Sequence, residues 1–184
     1  LDDDEDAGAE VPDAALGAYD RAAAKYEEVV SSDPSMTTAY FYLANSYDNL
    51  YKPELRGTPE NDAYLKKATD NYKISTEKEQ DPQLRKLALQ YLVAAYGPDK
   101  LDDPAQSEPV LRRMIEMDPT EPSSYFALAK LYEDDYRYDE AEAILLKARD
   151  AKPDDAMVYT QIAGYYNRQG EFDKTIAALE QRAA

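Results

Sequence analysis

Apolar side chains return along this chain in clusters spaced three and four residues apart, the spacing that lines one face of an α-helix. Tyr125, Leu128, Ala129 and Tyr132 form one cluster, and Tyr159, Ile162, Ala163 and Tyr166 repeat it 34 positions later. Between them lie Tyr138, Ala141, Leu145, Ala148 and Pro153, which predict a second helix and its stop. Small residues at Ala129, Ala141 and Ala148 let neighbouring helices approach closely, while Tyr125, Tyr132 and Leu145 fill the space between them. The same alternation runs back through Tyr40, Leu43, Ala44 and Tyr47, and through Leu89, Leu92, Val93 and Tyr96. Second helices carry Leu65, Ala68, Tyr72 and Ser75 before Pro82, and Leu111 and Met114 before Pro119.

A 34-residue helix–turn–helix unit with these residues resembles the tetratricopeptide repeat. The resemblance implies an all-α fold, a right-handed α-solenoid of such repeats, over residues 13–184 as a single array. It starts on a half-repeat, 13–36, in which Asp13 is placed to cap a helix carrying Gly17, Tyr19, Ala22, Tyr26 and Val29. Repeats follow at 37–85, 86–121, 122–155 and 156–184. The interval from Tyr40 to Leu89 is long because YKPELRGTPEND, 51–62, is inserted between the two helices. Pro53, Gly57 and Pro59 predict a loop there. A smaller excess falls at 97–106, and equivalent loops of stacked repeats project from one edge, so the two are expected to be neighbours. The insertion and the phrase LALQYLVAAYGPDKLDDPA are similar to a group of bacterial proteins of this family. Its members tend to be longer and exported, which points to an extracytoplasmic location.

Composition narrows the chemistry. The 21 basic and 38 acidic side chains leave a net charge of −17, which argues against nucleic acid or anionic membrane as partner and favours either a charged face that is simply solvated or a basic partner. No histidine or cysteine is present, so thiol and imidazole catalysis are excluded, together with nearly all transition-metal ligation. No cofactor or metal is expected. Asp99, Asp102, Asp103 and Glu108 could offer oxygens to calcium, but no Asp-x-Asp-x-Asp-Gly loop accompanies them. Glu133, Asp134, Asp135, Asp139, Glu140 and Glu142 read as a solvated face, and Lys66, Lys67, Lys73 and Lys78 as one exposed helix face. No apolar run is long enough for membrane insertion. Residues 1–12 are acidic and read as a disordered leader. Starting at Leu1, the chain reads as a processed product or a fragment.

The resemblance also implies a peptide-binding groove lined by the first helix of each repeat. In this sequence that face carries Phe41, Asn45, Asn49 and Gln90, then Phe126, Lys130, Asn167 and Arg168. Phe41 and Phe126 occupy the same repeat position, where they either line the groove as aromatic contacts or pack against an adjacent helix. A subset of the family clamps the terminal carboxylate of heat-shock chaperones. Only Asn45 matches that clamp, because Phe41 and Ser123 replace lysines and Tyr91 replaces an asparagine. Two functions therefore compete: a scaffold for a partner protein or peptide, and a subunit that self-assembles head to tail through Ile176 and Leu179 at an uncapped end. An enzyme is not expected.

Overall fold

The computed structural model describes residues 13–183, and every regular element among them is helical. In chain order they are α1 (Asp13–Ser32), α2 (Thr37–Leu50), α3 (Pro59–Lys78), α4 (Pro82–Ala95), α5 (Pro104–Met117), α6 (Pro122–Asp134), α7 (Tyr138–Ala151), α8 (Ala156–Arg168) and α9 (Phe172–Ala183). The acidic leader, 1–12, lies outside the described residues, as does the side chain of Asp13 that was expected to cap α1.

The helices gather into two compact units, one ending at Asp102 and the other beginning at Asp103. The division falls between α4 and α5, inside the segment 86–121. In the first unit α2 packs on α1 and α3, and α4 packs mainly on α3. In the second, α5 to α9 pack each on the next.

Local chemistry sets these elements. Pro59, Pro82, Pro104 and Pro122 open four helices at the first turn, where the missing N–H costs nothing. Asp81 caps α4 by accepting from the N–H groups of Gln83 and Leu84, at 2.8 and 3.3 Å, and Asp155 caps α8 through Met157 at 2.8 Å. Ala44, Ala68, Ala141 and Ala148 have no exposed surface at all, so a larger side chain at any of them would force two helices apart. The turn between α6 and α7 puts Tyr136 at φ 58°, and Gly170 takes the same left-handed conformation 34 residues later at φ 76°. That turn geometry suits glycine and strains tyrosine.

The insertion is shorter as a loop than its prolines and glycine suggest. Pro59 begins α3, which runs 20 residues against 14 for α7, because a proline at the first helical position starts a helix instead of interrupting one. Only 51–58 remains outside the α-helices, with a single 3₁₀ turn at Pro53–Leu55. It is clasped by the buried Asn61, whose side chain accepts from the Lys52 N–H at 2.8 Å and donates to the Lys52 carbonyl at 2.9 Å. The two extra loops do meet: Arg56 donates to the carbonyl of Pro98 at 3.1 Å. Beneath them Tyr51, Leu65 and Ala95 form a small core with Tyr64, and Lys100 pairs with Asp48.

A candidate protein-interaction groove

In the second unit a cavity of about 380 Å³ opens between three helices. Phe126, Ala129, Lys130 and Glu133 of α6 form one wall, Leu145 of α7 the floor, and Gln161, Tyr165 and Arg168 of α8 the other wall. Arg168 spans the two walls, donating from Nε and Nη2 to the two oxygens of Glu133, each at 2.8 Å. Glu133 is only 11% exposed, and the Arg168 guanidinium holds its carboxyl below the usual range, so it is ionised at neutral pH. Lys130 is exposed and pairs with Asp134. The Tyr165 hydroxyl donates to the carbonyl of Tyr138 at 2.8 Å, and burial, with the charge of Glu142, pushes its pKa up to about 12. The groove therefore has an apolar floor, a fixed ion pair across it, and amide and ammonium groups on its rim.

Of the groove residues expected from sequence, the fold brings Phe126, Lys130 and Arg168 together here. Asn167 is exposed on α8 but does not line the cavity, and Gln90 is exposed on α4 in the first unit. Asn45 and Asn49 are half-buried and bonded to each other, with the Asn49 amide donating to the Asn45 carbonyl at 2.8 Å. Phe41 must be corrected. It is 6% exposed and packs against the rings of Tyr42, Tyr72 and Tyr91 at centroid distances of 5.4, 5.9 and 5.9 Å. Tyr42 and Tyr91, at 44% and 37% exposure, present the aromatic surface expected of Phe41. Ile176 and Leu179 stand exposed on α9, as does Phe172.

The charged clusters resolve into pairs. Glu108 accepts from Arg137 at 2.9 Å, Arg112 at 3.0 Å and the Tyr132 hydroxyl at 2.9 Å, so its oxygens are already satisfied by cations and a phenol. Glu140 is held by Arg137 and Glu142 by Lys174. The four lysines of α3 are all exposed, and their ammonium groups go to different neighbours. Lys66 pairs with Asp70, Lys67 lies over the Tyr47 ring, Lys73 over Tyr96 and Lys78 over Tyr40. A lysine stem lies along apolar surface more cheaply than it stands in water, which the charge pattern alone does not reveal.

A tetratricopeptide-repeat family model matches residues 100–163, and a second matches 13–50, together more than half of the chain. The chain is a tetratricopeptide-repeat protein. Among solved structures it is similar to MamA, at 19% identity over 92% of this chain and 90% of that one, with a TM-score of 0.62. It is similar to YrrB, described as a TPR protein with an unusual peptide-binding site, at 19% identity over 92% and 78%, with a TM-score of 0.57. A MamA segment from Desulfovibrio magneticus RS-1 gives 13% identity over 91% and 85%, with a TM-score of 0.59. At these identities the likeness is one of fold. No curated protein matches the sequence. Tetratricopeptide-repeat proteins are interaction scaffolds that bind protein or peptide partners. Among the described residues no helix is long and apolar enough to cross a membrane.

The sequence missed Gln161, Tyr165 and Leu145 as groove residues. Gln161 sits two positions after Tyr159, the place that Tyr91 holds after Leu89, so comparing the repeats position by position is the signal that could have found it.

Proposed function

We propose that the chain is a non-catalytic scaffold whose second unit holds an extended segment of a partner protein in the groove between α6 and α8. The observation that carries this reading is the Glu133–Arg168 pair set across a cavity whose apolar lining is Phe126, Ala129 and Leu145. A peptide backbone needs polar groups for its amides and apolar surface for alternate side chains, and this groove offers both. Glu133, the carboxylate that lines it, is ion-paired and ionised, which supports binding over acid–base chemistry. Peptides selected from a random display library on the intact protein should lose about tenfold in affinity when Arg168→Ala is introduced, about 1.4 kcal/mol. Their nuclear magnetic resonance shifts should map to α6 and α8. Selected peptides that bind Arg168→Ala as well as wild type, with shifts elsewhere, would sink the assignment.

A second reading rests on α9, where Phe172, Ile176 and Leu179 are 64%, 56% and 43% exposed along one stripe. Helix-to-helix contact of that stripe with another copy would join chains head to tail. Sedimentation velocity should then show concentration-dependent growth for wild type and a folded monomer for Ile176→Lys with Leu179→Lys. A wild type that stays monomeric at every concentration rules this reading out.

A further inference from the structure

We infer that the second unit carries a ligand site outside the groove: a small cavity between α7, α8 and α9 that takes a free monocarboxylate bearing one ring or one branched alkyl group. The cavity holds about 130 Å³. Leu146 of α7, Ile162 of α8, and Ala177 and Ala178 of α9 give it an apolar lining, while Arg149, Lys174 and Gln181 bring polar groups to it. The hydroxyls of Tyr159 and Tyr166, which also line it, already donate to the carbonyl of Pro153 and to Glu142. The 34-residue register gives the reason that space is left here. Ala178 stands where the preceding repeat has Ile144, a larger side chain that is 6% exposed and fills its place. Such a space suits one ring, since an apolar cavity of about 150 Å³ takes up benzene.

The same register changes the charge. Arg149 and Lys174 replace Ile115 and Glu140 of the preceding repeat. Among the described residues no carboxylate lines the cavity, in a chain of 38 acidic against 21 basic side chains. Glu133, by contrast, lines the groove, and Glu108 and Asp135 line a cavity between α5 and α6. Both cations have local partners. Lys174 lies 5.0 Å over the Tyr166 ring and donates to Glu142 at 3.2 Å, and Arg149 donates from Nη2 to Asp150 at 2.8 Å. The side chains of Lys174, Arg149 and Asp150 keep 49%, 35% and 69% of their surface, and pairs so open to water hold a cation weakly. An ammonium has three donors and a guanidinium five, so each can take a further anion without releasing the first. The apolar lining selects the hydrocarbon part of a ligand and the two cations select its carboxylate. The chain's net charge opposes any anion at long range, so the selection rests on these short contacts.

The test titrates phenylacetate, phenylacetamide and acetate into the intact protein and follows backbone amide shifts by magnetic resonance. Phenylacetate should give saturable shifts in α7, α8 and α9. It should bind about tenfold tighter than either analogue, one of which lacks the charge and the other the ring. Ala178→Ile, which installs the side chain that the preceding repeat already accommodates, should abolish that binding by filling the cavity. Arg149→Gln with Lys174→Gln should erase the preference for phenylacetate over phenylacetamide. The groove variant Arg168→Ala should bind phenylacetate like wild type, so failure of this site and failure of the groove are told apart. Equal affinity for the amide overturns the inference, as does an Ala178→Ile variant that binds as well as wild type, or a wild type without saturable shifts. A peptide ending in phenylalanine that binds about tenfold tighter than phenylacetate would overturn the free acid in favour of a protein C-terminus. Should Ala178→Ile fail to fold, the amide comparison and the glutamine variant still decide.

Discussion

Replacing Phe41 with alanine is expected to destabilise the first unit by about 3–5 kcal/mol, the cost of emptying a buried aromatic site. Phe41 is 6% exposed, and its ring is the common neighbour of Tyr42, Tyr72 and Tyr91, so the cavity left behind also removes three edge and tilted ring contacts. Tyr72 has no exposed surface, and the close-packed rings around it relax only in part into such a gap. Urea unfolding followed by far-ultraviolet circular dichroism measures the loss. Phe41→Leu, which keeps most of the volume, should cost clearly less. A Phe41→Ala midpoint within error of wild type would mean that the ring is not part of the core. The half-buried Phe126 should tolerate alanine far better, although the two residues hold the same repeat position.

That difference has a traceable cause. Carried along the repeat register, Tyr72 and Tyr91, which enclose Phe41, correspond to Leu145 and Gln161 around Phe126. Two phenol rings close the space in the first unit. A leucine and a glutamine leave it open in the second as the cavity of about 380 Å³. The position was legible from the sequence and its exposure was not, because exposure depends on residues 31 and 50 positions away for Phe41 (Tyr72 and Tyr91).

Much else was legible. The helices and the meeting of the two extra loops follow from the 34-residue spacing, whereas the helix starts at Pro59, Pro82, Pro104 and Pro122 do not, because a proline in the sequence reads first as a stop or a loop residue. The length of α3 was not, since Pro59 reads equally as a loop residue or as a first helical residue, and only the clasp of Asn61 on Lys52 decides it. The excess of tyrosine over phenylalanine, 17 against 3, also gains a physical reason. Tyr125 donates to the carbonyl of Pro119 at 2.9 Å, and Tyr159 to that of Pro153 at 2.7 Å. Tyr132 donates to Glu108 and Tyr166 to Glu142, again 34 residues apart. Phenylalanine could fill the same volume but would make none of these bonds.

The strongest of these ties sets the second large expectation. Glu108→Gln should lower the stability of the second unit by about 2 kcal/mol at neutral pH, the scale of hydrogen bonds to a charged group. Glu108 joins Tyr132, Arg112 and Arg137, and the Arg137 guanidinium lies 4.2 Å over the Tyr132 ring. Arg137 first, then the Tyr132 hydroxyl and Arg112, pull the Glu108 carboxyl down to about 2 from an ordinary 4.5, against the opposing effect of burial. A carboxyl whose folded pKa is depressed adds stability that is fully present above its unfolded value. That contribution fades as pH falls from about 5 toward 2, so the gap between wild type and Glu108→Gln should be constant from pH 8 to 6, narrow below pH 4.5 and close near pH 2. Side chains of Glu108, Arg137 and Arg112 keep 25%, 34% and 49% of their surface, so solvent screens part of the attraction and added salt should shrink the gap. Urea midpoints of both proteins at each pH are the measurement. A gap that stays the same at pH 3 as at pH 7 would show that the glutamate acts there through packing and not through its charge. The tie would then be no more than a well-filled contact between α5 and α6.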